Sequence, residues 1–134
     1  MEDEEIVKLL REKDLRVTPQ RLAIMKVLMR GGHYTGEQIF NEVKKMEPSI
    51  SLSTVYNNLE ALESVGLVKS FESLGVTWYE ARLEPHVNVI CIDKKDIVDV
   101  DVDAKWLQNL LEKKGYKVIS LNLVAVAECG RSSP

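Results

Sequence analysis

The chain has 134 residues, 45% of them hydrophobic, with 18 Lys/Arg against 21 Asp/Glu and a formal net charge of −3. That is material for one globular domain or two small ones with a real core. No apolar run approaches the roughly 20 residues that span a bilayer, the acidic opening MEDEEIVK lacks a signal core, and two cysteines cannot frame a disulfide-rich secreted fold, so a cytoplasmic location is expected. The negative balance does not favour nucleic acid, but its distribution does not exclude it. Residues 6–70 carry ten Lys/Arg against seven Asp/Glu, and much of the acid lies in the opening EDEE and between Asp93 and Asp103.

The first half reads as short helices with clear punctuation. Ile6, Leu9 and Leu10 stripe a helix ending near Asp14. Thr18-Pro19 opens a second, with Thr as N-cap and Pro at the first helical position, where its missing N–H costs nothing. It runs through Leu22, Met25, Leu28 and Met29 to Gly31-Gly32. Thr35 and Gln38 form a capping-box pattern for a third helix with inner face Ile39, Val43 and Met46, closed by Pro48. The Ser51–Ser53 cluster opens a fourth, whose apolar stripe is Leu52, Val55, Leu59 and Leu62 and whose C′ residue is Gly66. Helices three and four suit a helix-turn-helix. GLVKSF and VTWYEA around Ser73-Leu74-Gly75 predict a β-hairpin after them. Helices followed by a hairpin describe a winged helix.

The second half changes character. VNVICI and DIVDV read as strands separated by Lys94-Lys95, Asp103 as the cap of a helix bearing Trp106, Leu107, Leu110 and Leu111, and YKVISLNLVAVAE as a last strand. This ββαβ unit cannot bury its own apolar face, so pairing with a second copy is expected. The predicted fold class is α+β, with a winged-helix domain over residues 1–82 and a small α/β dimerisation domain over 83–134.

LRVTPQRLAIMKVL followed by STVYNNLEALESVGLV resembles the DNA-binding half of the ferric uptake regulator family of metal-dependent repressors, and the second half resembles that family's dimerisation domain. TVYNNL is most similar to the family's peroxide-responsive branch. The resemblance implies a homodimeric transcriptional repressor on double-stranded operator DNA, with the fourth helix as recognition helix in the major groove. Tyr56 would touch a base or thymine methyl and Asn57 would pair with adenine. Ser53 and Thr54 would meet phosphates at the helix N-terminus, and Arg16 and Arg21 would contact the backbone or minor groove. The hairpin departs from the family pattern: ESLGVTWYE lacks the usual cations, so weaker anchoring of the wing is expected.

The resemblance also bears on the stretch PHVNVICIDKKDIVDV. The family commonly holds a structural zinc in two Cys-x-x-Cys pairs, which here read Cys91-Ile-Asp-Lys94 and Cys129-Gly-Arg-Ser132. Each pair lacks its second sulfur, so a four-cysteine zinc site is excluded within one chain. Two buried free thiols are the first expectation, and a redox-linked Cys91–Cys129 disulfide the alternative, with Ile92, Trp106 and the VAVA strand then packing where the zinc stood.

The regulatory metal site maps onto His33, Glu80, His86, Asn88 and Asp99, with His86 and Asn88 in the family's PHxH pattern. Such an ion would clamp the two domains at one angle and so set the spacing of the recognition helices. Asn88, a neutral and harder donor than imidazole, shifts preference toward manganese or ferrous iron over zinc. Glu80 departs from the peroxide-responsive arrangement, so peroxide sensing stays open. The alternative function is a metal-independent regulator of the same type, redox-controlled through Cys91 and Cys129. No HExxH, nucleophile elbow or phosphate loop is present, so neither an enzyme nor a small organic substrate is expected.

Overall fold

The structure is a computed structural model and describes residues 3–81 and 84–130. The chain divides into two compact units, residues 1–82 and 83–134. Arg82 and Leu83, at the expected domain boundary, and Ser132, in the second Cys-x-x-Cys position, lie outside the described residues.

The first unit contains α1 (Asp3–Glu12), α2 (Pro19–Leu28), α3 (Gly36–Val43) and α4 (Leu52–Ser64), then the hairpin β1 (Lys69–Ser73) and β2 (Val76–Glu80). The last three of these helices start as their residues dictate. Thr18 Oγ1 accepts the Arg21 N–H at 3.2 Å. Thr35 Oγ1 accepts from Gln38 N–H at 3.1 Å, while Gln38 Oε1 accepts from Thr35 N–H at 2.9 Å, closing the capping box. Ser51 Oγ accepts from Thr54 N–H at 3.1 Å. The core gathers Ile6 and Leu10 of α1, Ile24, Met25, Val27 and Leu28 of α2, Ile39 and Val43 of α3, Val55, Leu59 and Leu62 of α4, and Leu67 and Val68 behind the hairpin. Leu74 (φ 54°) and Gly75 (φ 78°) are both left-handed and turn the hairpin, with Ser73 opposite Val76. Two positive-φ residues are what a tight two-residue hairpin requires.

Two expected core positions differ. Met46 follows the end of α3 and is exposed, and Leu52 sits at the first position of α4, ahead of the turn that meets the core, and is also exposed. An apolar stripe carried past either end of a helix loses its neighbour.

The second unit contains β3 (His86–Cys91), β4 (Asp96–Asp101), α5 (Lys105–Lys113) and β5 (Leu123–Ala127). Its sheet has the order β4-β3-β5, with β3 antiparallel to β4 and parallel to β5. The last strand is shorter than the predicted YKVISLNLVAVAE. β5 runs only from Leu123 to Ala127, with Leu123 opposite Val87 of β3. Asp103 is not itself the cap of α5. The cap position is Ala104, and Asp103 Oδ1 accepts the Lys105 N–H at 3.1 Å from one residue further out.

This unit buries little of its own apolar surface. Trp106, Leu110, Tyr116, Ile119, Val124 and Val126 are all exposed, and α5 buries no residue. Cys91 and Cys129 are joined in a disulfide with a Cα–Cα distance of 5.5 Å. The first expectation, free thiols, is corrected. The strand pairing explains the bond: Cys91 lies opposite Ala127 in the parallel ladder, so two further residues bring Cys129 past the end of β3. The packing expected to replace the zinc is absent, since Ile92 and Trp106 remain exposed within the chain. Asp93 supplies a second tie, its carboxylate accepting the Cys129 and Gly130 N–H groups at 3.0 Å each. Those two bonds hold the Asp93 carboxyl below its ordinary value.

Candidate metal centre and nucleic-acid interface

In the first unit two of the expected ligands meet. Gly31 (φ 91°) and Gly32 (φ 84°) let the chain leave α2 in a left-handed path. Tyr34 then pairs with Tyr79 of β2 as an isolated antiparallel bridge, with N–H···O bonds of 3.0 and 2.7 Å. In an antiparallel pair of this register, the residue before Tyr34 faces the residue after Tyr79. The bridge therefore presents His33 to Glu80, and His33 Nε2 lies 3.0 Å from Glu80 Oε2. Glu80 is only 2% exposed, and the His33 ring stands edge-on to Phe71 at 5.3 Å. Lys69 lies opposite Glu80 in the hairpin. Burial holds its ammonium below the ordinary lysine range, while the Glu80 charge pulls the other way. A carboxylate this buried belongs beside cations or an ion.

In the second unit, His86 and Asn88 lie two residues apart on β3, so both side chains leave the same face, and both are buried. Asn88 is directly opposite Asp99 on β4, and His86 opposite Asp101. His86 Nδ1 lies 2.9 Å from the Glu84 carbonyl. A carbonyl can only accept, so Nδ1 carries a proton, and a hydrogen bond of this kind orients a metal-binding imidazole. One imidazole, one amide oxygen and the two carboxylates of Asp99 and Asp101 thus share a strand-pair face in this unit, and a His–carboxylate pair forms in the other. This donor set suits a divalent ion of hard to borderline character.

The expected DNA-reading residues cluster on α4. Ser51 Oγ lies 3.1 Å from Ser53 Oγ and 2.8 Å from Thr54 Oγ1, which gathers three hydroxyls at the helix N-terminus. Tyr56 and Asn57 are exposed, while Val55, Leu59 and Leu62 face the core. The Tyr56 ring lies against the first residue of α3, where a Cβ on Gly36 would overlap it. Gly36→Ala is therefore expected to keep the fold, since the ring can swing into solvent, but to lower DNA affinity several-fold by moving Tyr56. A DNA titration beside a thermal melt checks this, and unchanged binding would show that Tyr56 does not need that seat.

Arg16 is exposed in the loop after α1. Arg21 differs. Its guanidinium turns inward to Asn58 and to the Arg16 carbonyl. The sequence reading missed Asn58, Gly36 and Asp93. Helical spacing held the signal for the first, since Asn58 lies three residues after Val55 and four before Leu62 and so flanks the buried stripe of α4. In the hairpin, Glu72, Leu74, Val76 and Thr77 are exposed.

Residues 12–126 match the ferric uptake regulator family. A ferric uptake regulation protein homolog of Archaeoglobus fulgidus is 34% identical over 116 residues, covering 85% of this chain and 88% of that protein. The crystal structure of a Campylobacter jejuni peroxide stress regulator is 37% identical, with a TM-score of 0.69 over 98% of this chain and 99% of that one. A ferric uptake regulator from Pseudomonas aeruginosa, solved with manganese, is 25% identical, with a TM-score of 0.71 over 92% of this chain and 96% of that one. These likenesses cover both units, and the α+β architecture is that of a winged-helix domain followed by a dimerisation domain. By the family match and by likeness over nearly its whole length, the chain belongs to the ferric uptake regulator family of metal-binding transcriptional regulators.

Proposed function

We propose that the chain is a homodimeric repressor whose grip on operator DNA is governed by a divalent metal taken by His33, Glu80, His86, Asn88 and Asp99. The observation that carries this reading is the His33–Glu80 pair, assembled by the Tyr34–Tyr79 bridge around a buried carboxylate. The bound ion would supply a charge that ligands of both units share, favouring one arrangement of the two over others. Tyr56 and Asn57 would read bases, and Ser53, Thr54 and Arg16 would meet phosphates. The exposed Trp106, Leu110, Val124 and Val126 support pairing through the second unit, since a monomer would leave this apolar surface in water. Manganese or ferrous iron suits the donor set better than zinc, and the P. aeruginosa relative with manganese agrees with that choice.

The test is a fluorescence titration onto the chain's own upstream DNA, in manganese and then in chelator. Binding should weaken at least about tenfold in chelator, and His86→Ala should reproduce that loss in manganese. Equal binding in all three would discard metal control. A second reading then stands on the Cys91–Cys129 disulfide: the same DNA-binding protein controlled by thiol redox. In that case a dithiol reductant, and not a chelator, should change DNA affinity.

A further inference from the structure

We infer that Arg21 is a positioning residue for the DNA-reading surface rather than a contact to DNA. The inference rests on the DNA-binding reading above, and it assigns a role to Asn58, a residue without one there. Arg21 Nε–H donates to Asn58 Oδ1 at 2.9 Å, and its Nη1–H donates to the Arg16 carbonyl at 2.9 Å. Asn58 Nδ2 in turn donates to the Thr54 carbonyl at 2.9 Å. Thr54 N–H is held by the Ser51 hydroxyl. One chain of hydrogen bonds thus runs from the cap of α4, through its first turn, to the N-terminus of α2 and the exposed loop that carries Arg16.

The elements joined are 37 residues apart in sequence at the Arg21–Asn58 bond. They also carry different parts of the proposed contact, Tyr56 and Asn57 for bases and Arg16 for phosphate. Phosphate contacts set the register in which base contacts are read, so a shift of the Arg16 loop against α4 would cost sequence discrimination. The guanidinium suits the task because its Nε–H and Nη–H donors diverge in one rigid plane. A lysine offers a single point charge and cannot hold both acceptors in that geometry. Both acceptors are neutral, and Arg21 forms no ion pair among the described residues, so its charge is retained. That charge lies half-buried beside a recognition helix that has no Lys or Arg of its own.

The test uses the full chain with manganese and the duplex that the wild-type protein enriches from a random-sequence library. Asn58→Ala, Arg21→Lys and the double variant should each bind that duplex about tenfold more weakly, with the double no worse than either single. Affinity for random duplex should hardly move, and a thermal melt should show each variant folded. Arg16→Ala should instead weaken both duplexes and flatten the salt dependence by about one phosphate contact. If Arg21 touched a phosphate directly, Arg21→Lys and Asn58→Ala would both bind like wild type, which would overturn the inference.

A DNA-free arm separates failure of the clamp from failure of the DNA reading. The Arg21 Nε–H should give a solvent-protected NMR signal in the wild-type protein that is lost in Asn58→Ala. Exchange in the wild type as fast as in free arginine would overturn the inference even if no duplex were enriched.

Discussion

Reduction of the Cys91–Cys129 disulfide should destabilise the second unit by about 4 kcal/mol, because the bond closes a loop with a sequence separation of 38 residues. The unit has few other means of holding together. Its helix buries no residue, and its fully covered apolar groups are little more than Ile90, Cys91 and Ala104. Small units of this kind depend on staples or on a partner surface. A dithiol such as dithiothreitol would cleave the bond, leaving two protein thiols while the reagent closes to its cyclic disulfide. With Trp78 replaced by Phe, Trp106 is the remaining tryptophan and reports on this unit alone. The melting midpoint seen by Trp106 should fall by on the order of 15 °C on reduction, and Cys129→Ser should match the reduced protein. Dimer pairing would oppose the loss, so the effect should deepen on dilution. The disulfide assignment fails if thiol titration of the denatured, unreduced protein finds two free cysteines.

The Asp93 bonds add a pH arm to the same experiment. They hold the carboxyl below its ordinary value of 3.8 in the folded state. Their contribution is therefore complete above that ordinary value and is lost as pH falls through the lower folded one. Acid should thus loosen the Cys129 end first. The reduced protein, with Asp93 as its remaining tie there, should show the sharper response below about pH 4.

What could be read from the sequence was what local chemistry decides. Thr18-Pro19, Thr35 with Gln38, and Ser51 each announce a helix start, because a cap is a bond between residues three apart. The paired positive-φ turn at Leu74-Gly75 and the alternation of the strands were legible for the same reason. What escaped depends on neighbours distant in the chain. The inward turn of Arg21 is set by an asparagine 37 positions away. The disulfide was seen only as an alternative, since the meeting of Cys91 and Cys129 follows from the parallel register of β3 and β5, which periodicity cannot give. Of the proposed metal ligands, sequence supplied every name by resemblance, but not the device that pairs His33 with Glu80. That device is a single bridge between two tyrosines whose side chains have no part in the chemistry.

Glu80→Gln should lower manganese affinity by roughly two orders of magnitude and abolish the metal dependence of DNA binding. The substitution keeps the size of the side chain, and its amide oxygen can still accept from His33 Nε2. Only the charge is removed from a group that is 2% exposed and 3.0 Å from its imidazole partner. Circular dichroism should therefore show an intact fold, and calorimetric titration with manganese should isolate the ligand role. Asp99→Asn makes the companion measurement from the second unit, where the carboxylate is exposed on β4 opposite Asn88. If both substitutions weaken the same single-ion isotherm, one ion is using ligands from both units, and its coupling to DNA follows from linkage. If Glu80→Gln weakens manganese binding and Asp99→Asn does not, the ion belongs to the first unit alone and cannot set the angle between recognition helices by bridging. Full manganese affinity in Glu80→Gln would leave the buried carboxylate as a structural partner of His33 and Lys69, and would end the case for metal control through this site.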